Sequence, residues 1–268
     1  MAVEEFPLQL SRHAFSPRDV ARAGDLWRLL QDAAVLGSSR RGWPPERYRR
    51  EHIAFVVRTM TVCHHRESVF GETLRVQTWV DTFKRGMFTD RQIRVTHDAE
   101  PITSATQRWV HVVLPELKPA RASDALIESF GLEVRDPGVE LPVWRSVEGP
   151  PLSFELEAWH TWMDPLAHAN HPAYIDWIDE SLARAMARGG LDPQAAIARA
   201  ERLTFRSGVL APERVQITSQ LVGITEAGDA VIQHAITGGD GRICADGHTV
   251  RALAGGETQA LIDVLSGS

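Results

Sequence analysis

The stretch Met163-Asp-Pro-Leu-Ala-His-Ala-Asn-His-Pro-Ala-Tyr-Ile-Asp-Trp-Ile-Asp-Glu-Ser-Leu182 decides how the chain reads. It sets a carboxylate (Asp164), two imidazoles (His168 and His171) and an amide (Asn170) directly before an apolar-periodic run. Tyr174, Trp177, Ile178 and Leu182 recur at helical spacing and form one stripe. Pro172 suits the first turn of that helix, Asn170 stands where an N-cap is wanted, and Gly189-Gly190 supplies the stop. The spacing therefore predicts an acid–base loop running into a helix N-terminus, where backbone N–H groups and the positive end of the dipole face outward.

The same grammar occurs earlier, in SPRDVARAGDLWRLLQDAAVLGSSRRG (16–42). Laying Asp19 over Asp164 brings Ala23 onto His168 and Asp25, a second candidate cap, onto Asn170. Leu26, Leu29, Leu30 and Ala33 form the stripe, with a stop expected at Gly37. Each helix is followed by β-branched and aromatic segments. In the first half these are IAFVVRTMTV, TLRVQTWVDTF, FTDRQIRVTHD and ITSATQRWVHVVL; in the second, RLTFRSGVL, RVQITSQLVGIT, DAVIQHAITGG and RICADGHTVRAL. Alternation in TLRVQTWV and RVQITSQL is that of a sheet with one covered face. One long helix followed by an antiparallel meander, twice, predicts two α+β units. We expect domains at 6–114 and 152–254, joined by a proline-rich connector at 115–151 in which Ala122–Gly131 forms a short helix.

Composition narrows the function. The chain has 268 residues, 43% hydrophobic and 24% charged, with a formal net charge of −6. That charge argues against a nucleic-acid partner, and no apolar run approaches the length needed to span a bilayer. The opening MAVEEFPLQL lacks the apolar core of a signal peptide, and Cys63 and Cys244 match no metal or redox spacing, so a reducing cytoplasm is expected. His64 and His65 have no carboxylates at metal spacing, so no metal site is expected. No phosphate-binding glycine loop occurs.

The pattern Asp164-Pro-Leu-Ala-His168-Ala-Asn170-His171-Pro-Ala-Tyr174-Ile-Asp-Trp177 resembles the hot-dog thioesterases related to 4-hydroxybenzoyl-CoA thioesterase. The doubled arrangement, with TLRVQTWVD, DRQIRV and QRWVHVV in the first half, is similar to the acyl-acyl-carrier-protein thioesterases. The resemblance implies a tandem hot-dog, α+β, each unit a long helix wrapped by an antiparallel sheet. It also implies hydrolysis of an acyl thioester on a carrier protein or coenzyme A, in fatty-acid or polyketide metabolism, without a cofactor, by a monomer or homodimer. The chain departs from the family at Leu166, where plant-type relatives carry Asn, and near Val209–Leu210, where they carry an acid. Glu213 lies close by, at an expected strand start where it would be exposed.

On this reading Asp164 is the general base or nucleophile. One of His168 and His171 orients water or polarises the thioester while the other is structural; His168 fits the His-x-Asn pattern and Asp164 to His171 fits an alternative family spacing. Asn170 caps the helix or joins the chemistry. Tyr174 and Trp177 are core or substrate-facing residues of the stripe, and Asp176, Asp179 and Glu180 read as a solvated face. The first half, with Ala23 in the histidine position, is non-catalytic; its Asp19 and Arg22 form a loop ion pair or line the substrate pocket. Arg40, Arg41, Arg47, Arg49 and Arg50 make a basic stretch that is a solvated loop or an anion-docking site. Two other readings remain open: a hot-dog hydratase or dehydratase, although its sequence signatures are absent, and a non-hydrolytic acyl-binding protein.

Overall fold

The computed structural model describes residues 3–135, 137–255 and 258–267. Its contacts divide it into two units: Met1–Phe15 with Asp25–Glu140, and Ser16–Gly24 with Leu141–Ser268. The division at 140/141 falls inside the proline-rich stretch.

In the first unit the chain runs β1 (Glu4–Leu8), α1 (Ala23–Arg40), α2 (Pro45–Arg50), β2 (Ile53–His64), β3 (Leu74–Lys84), β4 (Phe88–His97), β5 (Glu100–Val113), β6 (Lys118–Pro119) and α3 (Asp124–Phe130). The strands pair antiparallel in the order β1-β3-β4-β5-β2, with β6 on β5. The α1 stripe Leu26, Leu29, Leu30 and Ala33 is buried, together with Trp27 and Ala34. Gly37 does not end this helix, which continues to Arg40. A Cβ there would fall 2.7 Å from Thr78 Cγ2 and 2.8 Å from Arg91 Nη1, so the missing side chain serves close packing of α1 on β3 and β4. Ser123 Oγ caps α3 and Gly131, in the left-handed region, closes it. Beyond α3 the chain stays on this unit: Glu133 N donates to Val80 O and Val139 N to Thr106 Oγ1. The basic stretch is engaged internally, Arg41 with Glu4, Arg47 with Glu51 and the face of Trp43, and Arg49 with Glu46.

The second unit contains β7 (Trp144–Ser146), β8 (Leu152–Glu157), α4 (Pro172–Arg188), β9 (Ala196–Phe205), β10 (Arg214–Thr225), β11 (Ala230–Gly238), β12 (Ile243–Leu253) and α5 (Gln259–Ser266). Its sheet runs β9-β12-β11-β10, and β10 also pairs with β8 along 214–219 and with β7 along 223–225. Each unit is thus the expected α+β arrangement. Two readings need correction. RLTFRSGVL is not one strand: β9 begins earlier and stops at Phe205, because the backbone of Arg206 and Ser207 turns onto the Cys244 carbonyl and leaves the ladder. The second unit also continues past 254. Leu261, Ile262 and Leu265 of α5 join Leu182, Met186, Leu221 and Ile232 in one core. Among the described residues no helix is long and apolar enough to cross a membrane.

Under α4 the core is not uniformly apolar. Arg251, almost wholly buried, donates to Glu201 at 2.7 Å and to Asp179 at 2.8 Å. Asp179 is therefore a partner of the core rather than a solvated residue. Beside it, His234 sits between Ser219 Oγ and Thr249 Oγ1, each at 2.9 Å. Removing one member of a buried charge set strands the others. Arg251→Leu, which leaves Glu201 without its cation, is expected to cost about 3–5 kcal/mol in urea unfolding. Burial, helped by the charges of Arg251 and His248, pushes the His234 imidazolium down to about 3. The folded state keeps this ring neutral while the unfolded chain protonates it below about 6.5. Its contribution is therefore complete above pH 6.5 and is lost as pH falls toward 3. His234→Gln is expected to flatten the fall in unfolding free energy across that window; an unchanged profile would refute this.

Candidate active site

A short 3-10 turn, His160–Trp162, leads into the Asp164 loop. The loop closes on itself: Asp164 N donates to His168 O at 2.9 Å, Ala167 N to Asp164 O at 2.9 Å, and Ala167 takes a positive φ of 63°. Asp164 Oδ1 accepts the Leu166 N–H at 2.7 Å, an Asx turn that fixes the carboxylate. That orientation brings Oδ1 to 3.5 Å from His168 Nδ1. The side chains are 16% and 20% exposed respectively, sheltered yet reachable by solvent. Leu166 contributes only a backbone N–H here, which any residue but proline supplies.

A second loop, 206–213, forms the wall behind this pair. Ala169 N donates to Val209 O at 2.8 Å, and Val209 N donates to Tyr174 Oη at 3.3 Å. Gly208 lies so close to the imidazole that a Cβ would fall 2.9 Å from His168 Cβ and 3.1 Å from Cδ2. Glu213 is not exposed: both oxygens accept from Arg242, at 2.6 and 2.8 Å, and also from Leu210 N and Gly239 N. Those donors hold its carboxyl below the usual range, the Arg242 hydrogen bond foremost. Tyr174 is buried, and burial above all drives its phenol far up, so it stays neutral.

A family model for the thioesterase-like superfamily matches residues 158–264, the segment holding both loops. A chloroplastic acyl-acyl-carrier-protein hydrolase of Cuphea viscosissima is 30% identical over 156 residues, 55% of this chain and 38% of that protein. The chain spans about two fifths of the length of the curated relatives it matches. Among solved structures, a Lactobacillus plantarum protein superposes with a TM-score of 0.81 at 14% identity, over 95% of this chain and 97% of its own. An acyl-ACP thioesterase from Bacteroides thetaiotaomicron gives 0.74 at 16%, over 93% and 98%. At these identities the likeness is one of fold, a double hot-dog.

Within residues 158–264 the residues singled out by sequence separate. Asp164 and His168 come together. His171 sits at the helix start with its ring edge-on to Phe205, centroids 5.8 Å apart. Asn170 does not cap α4: the helix start carries no side-chain cap, and Ala173 N instead donates to the Asn170 carbonyl at 2.9 Å. With Tyr174 N donating to His171 O, and Pro172 lacking an N–H, the first backbone donors of this helix are spent rather than turned outward. Tyr174 and Trp177 are core: their rings pack tilted at 41° with centroids 4.7 Å apart, and the series continues through Trp162 to the exposed Trp159.

The overlay of the two hot-dog units shifts by three residues. The turn Arg12–Ala14 corresponds to His160–Trp162, Ser16 N donates to Val20 O as Asp164 N does to His168 O, and Asp19 takes the positive φ of Ala167. Ser16 thus stands at the Asp164 position, Val20 at that of His168 and Arg22 at that of Asn170. Asp25 is not a cap but lies inside the first turn of α1, 3.3 Å from Arg28. Pro17 and Pro165, one residue after Ser16 and Asp164, were the signal that fixes this register. Asp19 and Arg22 are exposed on Ser16–Gly24, a segment that groups with the second unit, where Arg18 Nε reaches Gln194 O at 2.7 Å. Tyr174→Phe removes the acceptor of the buried Val209 N–H and is expected to cost about 1–3 kcal/mol, read as a lowered denaturant midpoint. An unchanged midpoint would show that this tie carries no energy.

Proposed function

We propose that the chain hydrolyses an acyl thioester, with the 3.5 Å approach of Asp164 Oδ1 to His168 Nδ1 as the carrying observation. With Nδ1 turned to the carboxylate, the tautomer that pairs them bears its proton on Nδ1 and leaves Nε2 as acceptor. Nε2 takes a proton from water, the hydroxyl oxygen bonds the acyl carbon, and the carbon–sulfur bond breaks. His168 returns the proton to the departing thiolate, giving a carboxylic acid and a thiol. Asp164, fixed by the Leu166 N–H, stabilises the imidazolium between these steps. The positive end of α4 favours the developing oxyanion through its dipole, since its first N–H groups are engaged. His171 and Asn170 shape the helix entry, and no cofactor is required.

The carrier in this reading is an acyl-carrier protein, as named for the Cuphea viscosissima relative, with coenzyme A as the alternative. The thiols of Cys63 and Cys244 suit a reducing compartment such as the cytoplasm. Purified protein incubated with acyl-carrier-protein and acyl-coenzyme A panels is expected to release thiol. Asp164→Asn and His168→Ala should each lower kcat by about 10²–10⁴-fold, while His171→Ala should fall far less. Tight acyl-thioester binding with no thiol release would defeat hydrolysis in favour of a binding protein. Hydration of an enoyl thioester without thiol would defeat it in favour of a hydratase.

A further inference from the structure

Behind the 206–213 loop the chain builds a guanidinium clasp. Arg242, at the turn before β12, sends Nε to Ser207 Oγ at 3.1 Å and Nη2 to the Gly208 carbonyl at 2.9 Å. Its other contacts run to Glu213 at 2.6 and 2.8 Å and to Asp240 at 2.8 Å. Glu213 closes the ring by accepting the Leu210 N–H at 3.1 Å. One side chain therefore grips the 206–213 loop at its beginning and, through Glu213, at its end. The same loop meets the Asp164–His168 segment: Gly208 packs on His168, and Val209 O accepts from Ala169 N.

We infer that Arg242 is a positioning residue, fixing the His168 ring through the backbone of the 206–210 loop. The inference rests on the proposed site, in that it gives His168 a job worth positioning. A planar fork can bond a hydroxyl, a carbonyl and a carboxylate at once, whereas an ammonium offers its donors from a single point. The bland account is that Arg242 only ties the β11–β12 turn to β10. Its contacts separate these roles: Asp240 lies on the turn side and Ser207 on the loop side.

The test uses the full chain labelled with nitrogen-15 histidine, the His168 signals being assigned by their loss in His168→Gln. Arg242→Lys is expected to lower kcat for thiol release by about 10–100-fold with KM nearly unchanged, the size that a small misplacement of a reacting group produces. It should also move the His168 ring-nitrogen shifts. Ser207→Ala, which removes one loop-side bond and endangers no fold, should move both readouts the same way by less. Asp240→Asn should move neither. Unmoved His168 shifts in folded Arg242→Lys would overturn the inference, as would equal effects of Ser207→Ala and Asp240→Asn. Should Arg242→Lys fail to fold, Ser207→Ala against Asp240→Asn decides alone. If wild-type protein releases no thiol yet the shifts respond as stated, the hydrolytic reading fails and the positioning role stands.

Discussion

Val209 has both of its backbone polar groups committed, its N–H to Tyr174 Oη and its carbonyl to Ala169 N. Because the residue is fully buried, neither group has water to fall back on, and an unmade hydrogen bond there costs more than a made one returns. This double tie joins three separate pieces of chain: helix α4 through Tyr174, the Asp164–His168 loop through Ala169, and the 206–213 loop itself. The geometry of the acid–imidazole pair depends on it. The residue at 209 needs no side-chain chemistry to do this; it needs to be buried and in register.

The second unit places an arginine and a histidine where a simple core would be apolar, and both are answered. Arg251 meets Glu201 and Asp179, and His234 meets two hydroxyls. Such groups stabilise little beyond a well-packed hydrophobic core, but each is costly to orphan. They tie α4 through Asp179 to β9 and β12, so the helix that begins at the site is anchored beyond its apolar stripe as well.

The two hot-dog units show what the fold retains when chemistry is absent. The first half of the chain keeps the 3-10 turn, the proline, the positive-φ residue and the closing hydrogen bond of the loop. With Ser16 and Val20 at the acid and imidazole positions, it has neither a base nor a proton carrier there. The loop conformation is thus a property of the fold, and the acid–imidazole pair an addition to it.

Much was legible in the sequence because it is written in local periodicity. The stripes Leu26–Ala33 and Tyr174–Leu182, the alternation in β3 and β10, the short helix within Ala122–Gly131 and the candidates Asp164, His168 and His171 follow from spacing and residue type. What local pattern could not determine is which groups meet across long separations. Gly37 reads as a helix stop until Thr78 and Arg91 are seen pressing on it, and Asn170 reads as a cap until the backbone proves to have used its carbonyl instead. Glu213 reads as a solvated acid until Arg242 closes on it, and Asp179 as a surface charge until Arg251 reaches it. The sequence by itself determined the elements, their doubling and the one stretch with acid–base chemistry, since those depend on neighbours along the chain. Only the tertiary structure decided that His168 rather than His171 faces Asp164, and that a backbone wall clasped by Arg242 stands behind that pair. Those outcomes depend on hydrogen bonds between residues dozens of positions apart, whose geometry no spacing records.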